Sequence, residues 1–292
     1  MLVGDFSECA VPTKGNGAGL VSGFRIEGEA AERRRNARSQ AASQTLTRLV
    51  DRLVSPPMNR TTGERIIFWA LPGVAIVWIA AFFLFPGFLP PMSPKASAIQ
   101  VAAFYAQHTS RIRYSMILFN WFCVALIPIL MLIVERMRLM AHRTPVLRFC
   151  VIGVAGAAPI VFLTSTIFWL LAAFRPYRSP DLTLLYNDLA WITFTCGVPF
   201  LVALCVFVAV AIYLDQQAKP VFPRWVGHFN LLIAVALVPA GFAGLTLSGV
   251  LAWNGFLSFW VKNVAIALWL IVMAVALGRT LGRERDAAED FA

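Results

Sequence analysis

The sequence predicts an all-α polytopic membrane protein, a bundle of six transmembrane helices. Of its 292 residues, 59% are hydrophobic and 14% are charged, whereas soluble domains carry about 25% charged residues. The mean hydropathy is +0.72, and each of six apolar runs approaches the ~20 residues that a helix needs to cross a bilayer. The predicted spans are about 66–87, 114–134, 148–173, 190–214, 226–250 and 257–279.

The N-terminal segment 1–57 has a different composition from the rest of the chain. It is rich in Gly, Ala, Ser and Arg, and its basic stretch ERRRNARSQAASQ (32–44) has no apolar stripe. We expect a disordered polar segment here, with a basic arm that touches anionic lipid or nucleic acid as the alternative. A third interpretation starts translation at Met58, which opens a short cationic lead into the first span.

Lysine and arginine are distributed unequally between alternate loops. From Arg48 onward, thirteen lie in the N-terminal flank, the second and fourth loops and the C-terminal tail, against six in or beside the other loops. The positive-inside bias therefore predicts cytoplasmic termini, with a short tail over 283–292. Because topology accounts for the net charge of +10, we expect no nucleic-acid partner.

The first outer loop is predicted to contain an amphipathic helix of its own. Ser93 suits an N-cap and Pro94 suits the first helical turn. Ile99, Ala102 and Ala106 recur at three-to-four spacing and give a mildly apolar face. We expect this helix to lie on the membrane surface or to cover the bundle from outside.

Prolines lie deep within four successive spans. Each removes one backbone hydrogen bond and obstructs the carbonyl four residues earlier, and a freed carbonyl in hydrocarbon needs another partner or a water-lined cavity. The alternatives are ordinary helix kinks and a central pocket. The four residues are Pro128, Pro159, Pro199 and Pro239.

Other features of the spans are interpreted as packing and topology. Small residues allow close helix approach. Tryptophans near span ends are typical of the aromatic belt. Asn254-Gly255 is predicted to supply a positive φ in the last outer turn. The predicted packing faces are Gly153, Gly156 and Ala157 in the third span and Gly241, Gly244 and Ser248 in the fifth. The predicted belt comprises Trp191, Trp225, Trp253 and Trp260.

The stretch FRPYRSPDLTLLYNDLAW (174–191) is the most polar passage between the spans. Ser179 and Pro180 suit the start of a helix. A continuous helix over 181–214 would be roughly 50 Å long at ~1.5 Å per residue. Because it exceeds the ~30 Å hydrocarbon core, we expect it to project outside or to bend near Gly197 and Pro199.

Asp188 and Lys262 are the charged residues without an evident folding role. Lys262 lies inside the apolar run FLSFWVKNVAIALW, one to two turns from the outer end of the sixth span. Its ammonium either snorkels to the headgroups or pairs with a carboxylate at the same depth. We hypothesise a contact between Lys262 and Asp188.

These charges suggest a candidate ligand site at the outer rim, where cations outnumber acids. The leading interpretation is a protein that binds or moves a small amphiphilic or anionic molecule through an outward-facing pocket. The alternative is a structural or accessory subunit that packs on a partner or on a second copy, and a membrane-embedded enzyme comes third. The candidate rim residues are Arg111, Arg113, Arg175, Arg178, Asp188 and Lys262.

The sequence offers little support for cofactor or coupled chemistry. The three histidines lie at separate positions, and the five cysteines form no CxxC pair, so we expect neither haem, metal nor a disulfide framework. No acidic residue lies at mid-depth in a span, which argues against a proton-coupled carrier. No cofactor and no catalytic residue is predicted.

Three stretches resemble the recurring motifs of a family of uncharacterised multi-span bacterial membrane proteins that has no established activity. They are FRPYRSPDLTLLYNDLAW (174–191), FPRWVGHFNLLIAVALVPAG (222–241) and GVLAWNGFLSFWV (249–261). The similarity covers about residues 66–292. It implies a location in the bacterial inner membrane and assigns no functional residue.

Overall fold

A computed structural model describes the backbone over residues 60–141 and 145–289, together with Gln40 and Gln44, and the side chains over 62–141 and 145–282. The contacts divide the chain into two units, Met1–Asn59 and Arg60–Ala292, and the helices described below belong to the second unit. Apart from those two glutamines, the predicted disordered segment and the start at Met58 lie outside the described residues.

The described part of the chain is helical and contains no strand. The α-helices are α1 (Arg60–Leu84), α2 (Ala98–Cys123), α3 (Leu126–Arg138), α4 (Val146–Phe174), α5 (Pro180–Cys196), α6 (Pro199–Leu214), α7 (Arg224–Leu237) and α8 (Lys262–Glu289). A 3-10 helix (Val238–Leu245) continues α7, and a π-helix (Phe256–Val261) precedes α8.

Six helical units are long and apolar enough to cross a bilayer, which confirms the predicted six-span fold. Helix α4 lies at the centre of the contacts, packing against α2, α3, α5 and α6, while α7 packs on α6. Helix α8 continues into the predicted tail as far as Glu289. The units are Thr62–Leu84, Ala98–Arg138, Val146–Phe174, Pro180–Leu214, Arg224–Leu245 and Phe256–Gly282.

The helix of the first outer loop is part of the second span rather than a separate element. It begins after Ser97, not Ser93: the Ser97 hydroxyl accepts from the Gln100 backbone N–H, and the Gln100 side chain accepts from the Ser97 N–H. This reciprocal pair is a capping box. The helix then runs into the bundle with a local distortion at His108 (φ −114°, ψ 15°).

Three of the four span prolines interrupt an α-helix. Pro128 follows the break between α2 and α3, Pro199 begins α6 after a break, and Pro239 lies where α7 becomes a 3-10 helix. Pro159 instead lies inside α4, which continues from Val146 to Phe174. The bend expected near residues 197–199 is therefore confirmed.

The core has two halves of different chemistry. The aromatic half, towards the predicted outer end, contains Phe85, Phe88, Trp169, Trp191, Phe194 and Phe259. The aliphatic half, towards the predicted cytoplasmic end, is built around Leu130, Leu204, Val208, Ile233, Leu237 and Met273. The aromatic half therefore encloses the region in which the ligand pocket was predicted.

The loop after α1 inserts Phe88 into the centre of the aromatic half. Its ring centroid lies 4.4 Å from Phe82, 5.3 Å from Phe194 and 5.5 Å from Trp191. Trp191 is fully buried here, and Trp253 is buried and donates from Nε1 to the Met92 carbonyl oxygen at 2.8 Å. The aromatic-belt interpretation is therefore wrong for these two tryptophans.

Trp225 and Trp260, at 49% and 41% exposure, are accessible as belt residues would be.

The outer turn also differs from expectation, because its positive φ belongs to Gly249 (88°) and not to Gly255 (−71°). Gly255 is needed for another reason: an added Cβ would lie 2.5 Å from the carbonyl oxygens of Gly249 and Val250. Close backbone approach thus explains the second glycine.

Candidate functional site

Two of the predicted rim arginines close the end of α4. Arg113 donates from Nη2 to the carbonyl oxygens of Ala173 (3.0 Å) and Phe174 (2.6 Å). Arg178 donates from Nη1 to the Leu171 carbonyl oxygen at 3.0 Å. The last carbonyls of a helix lack partners within the helix and carry partial negative charge. Both arginines therefore have a folding role that the sequence did not reveal.

Arg175 joins this cluster, whereas Arg111 does not. The guanidinium carbons of Arg113 and Arg175 each lie 5.9 Å from the centroid of the Phe174 ring. Arg175 and Arg111 are both exposed, and Arg111 projects from α2. The structure thus gathers three rim residues, including Arg178, at the end of α4.

Asp188 belongs to a polar chain between α2 and α5. Its Oδ1 accepts from Asn187 Nδ2 at 3.4 Å, and Asn187 Oδ1 accepts from the Tyr105 hydroxyl at 3.0 Å. Tyr105 and Asn187 are each 1% exposed. Sequence reasoning missed both, because nothing in the pattern places residue 105 beside residue 187.

Lys262 is buried and contacts Phe194 in two ways. Its Nζ donates to the Phe194 carbonyl oxygen at 3.3 Å and lies 3.9 Å from the centroid of the Phe194 ring. Asp188 precedes Phe194 by six residues, which is about 9 Å along a helix. Because Lys262 forms no ion pair with any described acid and is 1% exposed, both the Asp188 contact and the snorkelling alternative are wrong.

The break between α5 and α6 explains why the ammonium lies there. The Phe194 carbonyl belongs to the last turn of α5 and has lost its helical partner, so Lys262 supplies the missing donor. An added Cβ at Gly197, within the break, would collide with the Val161 side chain of α4. Glycine therefore allows α4 to pack against the interrupted helix.

Five spaces among the described helices do not coincide with the predicted outward-facing pocket. A space of about 10 Å³ lies beside Lys262, enough for roughly one water molecule, and another of about 30 Å³ lies between Trp78, Leu130 and Trp269. Three open grooves measure about 660, 400 and 220 Å³. Of the six rim residues, Lys262 alone lines any of these five spaces.

The loop between α6 and α7, at the predicted cytoplasmic end, is organised by two charged residues. Asp215 is 1% exposed, and its carboxylate accepts from the backbone N–H groups of Ala141 (3.2 Å), Gln217 (3.3 Å) and Val221 (3.0 Å). Arg224 donates to three carbonyl groups at the end of α6. These bonds fix the loop against the neighbouring α3–α4 connection.

The six spans identify the chain as a multi-pass membrane protein. No family model, no curated protein and no solved structure matches it. The resemblance to a bacterial family and the inner-membrane location therefore stay predictions. In the part that the structure describes, no three His, Cys, Asp or Glu side chains are grouped so that they could hold a metal ion.

Proposed function

We propose that the chain is a structural or accessory membrane protein that packs on another transmembrane helix through the outward face of α4. The observation that carries the proposal is the exposure of Gly153 and Gly156, where an added Cβ would have no neighbour within 4 Å. Glycine costs about 1 kcal/mol relative to alanine inside a helix. Close packing of a second helix, which small residues permit, offsets that cost.

The surroundings of these glycines support a groove for a partner helix. Ala157 follows four residues after Gly153. Phe149 lies one turn before Gly153 and Ile160 lies one turn after Gly156, and each of these two side chains is 58% exposed. Within this chain, 22% of the most apolar part of α4 is buried, against 6% for α1 and 39–44% for the other four spans. The narrow interior spaces also favour a solid bundle over a carrier with a central passage.

The glycine face can be tested without disturbing the fold. Gly153→Leu and Gly156→Leu should not lower the thermal unfolding temperature and should weaken association in native membranes by about fivefold or more. Gly73→Leu on α1 is the matched control, because Gly73 also has open space around it but has no second glycine three or four residues away.

Two readouts separate the candidate partners. Energy transfer between differently labelled copies reports self-association, and native electrophoresis of host membranes reports a complex with another protein. The proposal fails if the wild type is monomeric by both methods, or if the three leucine variants behave alike.

A second candidate is the binding of a small amphiphilic or anionic molecule at the outer rim. It is favoured by the cluster of Arg113, Arg175 and Arg178, although two of these donate to carbonyls. Decanoate should then raise the thermal unfolding temperature of the wild type more than that of an Arg111→Gln, Arg175→Gln double variant. Equal shifts would remove this candidate.

A further inference from the structure

The groove of about 660 Å³ opens at the predicted cytoplasmic end, between the α6–α7 loop and α8. Lys219 and Trp225 lie on one wall, and Val275, Ala276 and Arg279 lie on the other. The spacing of the α8 residues places them on one helical face, with the cation one turn beyond the apolar pair. The groove is therefore apolar towards the span and cationic towards the loop.

The two cations of the groove are available to a ligand. Lys219 and Arg279 are exposed, and the described lining contains no carboxylate. Asp215, the acid of the same loop, is buried and already accepts three backbone hydrogen bonds. Arg224 donates to carbonyl groups at the end of α6, so it is not available to a ligand as Lys219 and Arg279 are.

We propose that this groove binds the headgroup of an anionic phospholipid from the surrounding bilayer. Lys219 and Arg279 would hold the phosphate, since basic pockets beside transmembrane helices attract anionic headgroups. Trp225 and Val275, each 49% exposed, would contact the glycerol and the upper acyl chains. This site lies on α8 and the α6–α7 loop, and it does not depend on the proposed role of α4.

The site can be tested on the full-length protein with phosphatidylglycerol as the probe. Native mass spectrometry from mixed micelles should show phosphatidylglycerol bound in preference to phosphatidylcholine. The Lys219→Gln, Arg279→Gln double variant should lose about thirtyfold in affinity, because each interfacial cation contributes roughly fivefold. The charge-preserving Lys219→Arg, Arg279→Lys variant should keep most of the affinity and also shows that the groove tolerates substitution.

A double variant with the same charge change elsewhere controls for surface potential. Arg138→Gln, Arg148→Gln removes two cations from the predicted cytoplasmic end but outside the groove, and this variant should bind phosphatidylglycerol like the wild type. The proposal is overturned if this control loses as much affinity, or if the two lipids bind equally. It is also overturned if inorganic phosphate competes at the same concentration as the lipid, because the site would then recognise a free anion.

Discussion

The two halves of the bundle use their cations in different ways. In the aromatic half, Arg113, Arg178 and Lys262 donate to carbonyl oxygens at helix ends. In the aliphatic half Arg224 does the same, but Lys219 and Arg279 line an open groove. Counting cations along the sequence therefore predicts the membrane faces but does not locate a ligand site. Whether a cation can bind a ligand depends on whether it already donates to a carbonyl group of the protein.

The halves also differ in how completely they are filled. Phe88 and its neighbours occupy the space that the predicted outward-facing pocket would need. The aliphatic half has a space of about 30 Å³ in its interior, beside Leu130 and Trp269, and the groove of about 660 Å³ beside Lys219 at its edge. Four substitutions test this contrast. Their expected losses in the free energy of unfolding decrease from Phe88→Ala to Lys262→Met.

Phe88→Ala should be the most destabilising change. Phe88 is 2% exposed, and truncating a buried phenylalanine costs about 3–5 kcal/mol. The free energy of unfolding in mixed detergent micelles measures the loss. Phe83→Ala is the matched control, because Phe83 is 68% exposed and faces outward. Equal losses for the two variants would show that the aromatic half is not a packed core.

Asp215→Ala tests the order of the aliphatic half's connecting loop. The change leaves three backbone N–H groups without their acceptor, and each buried donor without a partner costs ~1–3 kcal/mol before relaxation. We expect a loss of about 2–4 kcal/mol and weaker phosphatidylglycerol binding through Lys219. Asp181→Ala, at an exposed position, should change neither. A stable variant with unchanged lipid binding would contradict the role assigned to Asp215.

Gly197→Ala tests the close approach of α4 to the α5–α6 break. The added methyl group would meet the Val161 side chain and lie 2.8 Å from the Thr193 carbonyl oxygen, and such overpacking costs about 1–3 kcal/mol. Gly156→Ala, which meets nothing within 4 Å, should not lose stability in the same assay. If both variants unfold like the wild type, the two helices do not touch as described.

Lys262→Met should have the smallest effect. The methionine keeps most of the volume and loses the hydrogen bond and the cation–π contact with Phe194, while the desolvation cost of a buried charge disappears. We expect the free energy of unfolding to change by less than about 1 kcal/mol. A larger loss would mean that these two contacts outweigh the desolvation cost, and that the stability of the aromatic half depends on the charge of Lys262.

The spans could be predicted because their signals are local. Runs of about twenty apolar residues, Pro180 at a helix start and Pro199 at a bend each act through neighbours in sequence. The capping box at Ser97 was also readable in principle, since Gln100 follows at the required spacing. Pro94 makes Ser93 the stronger N-cap signal in the sequence, but Ser93 forms a turn before the helix.

The candidate site could not be predicted in the same way because its contacts join distant segments. Arg113 reaches Ala173 across 60 residues and Lys262 reaches Phe194 across 68. The sequence does not distinguish an arginine that donates to the last carbonyls of a helix from one that is free to bind a ligand. Trp191 likewise lies near a span end, yet it packs inward against Phe88.

The loop that carries Phe88 is synthesised before the segments that pack around it. Phe88 is made early, but its contacts with Trp169, Trp191, Phe194 and Phe259 come from segments that are translated 80 or more residues later. Contacts of such long sequence separation form late. The loop therefore lacks its full set of aromatic partners until the residues of the π-helix have been made, and a chain truncated before Phe256 would lack the Phe259 ring.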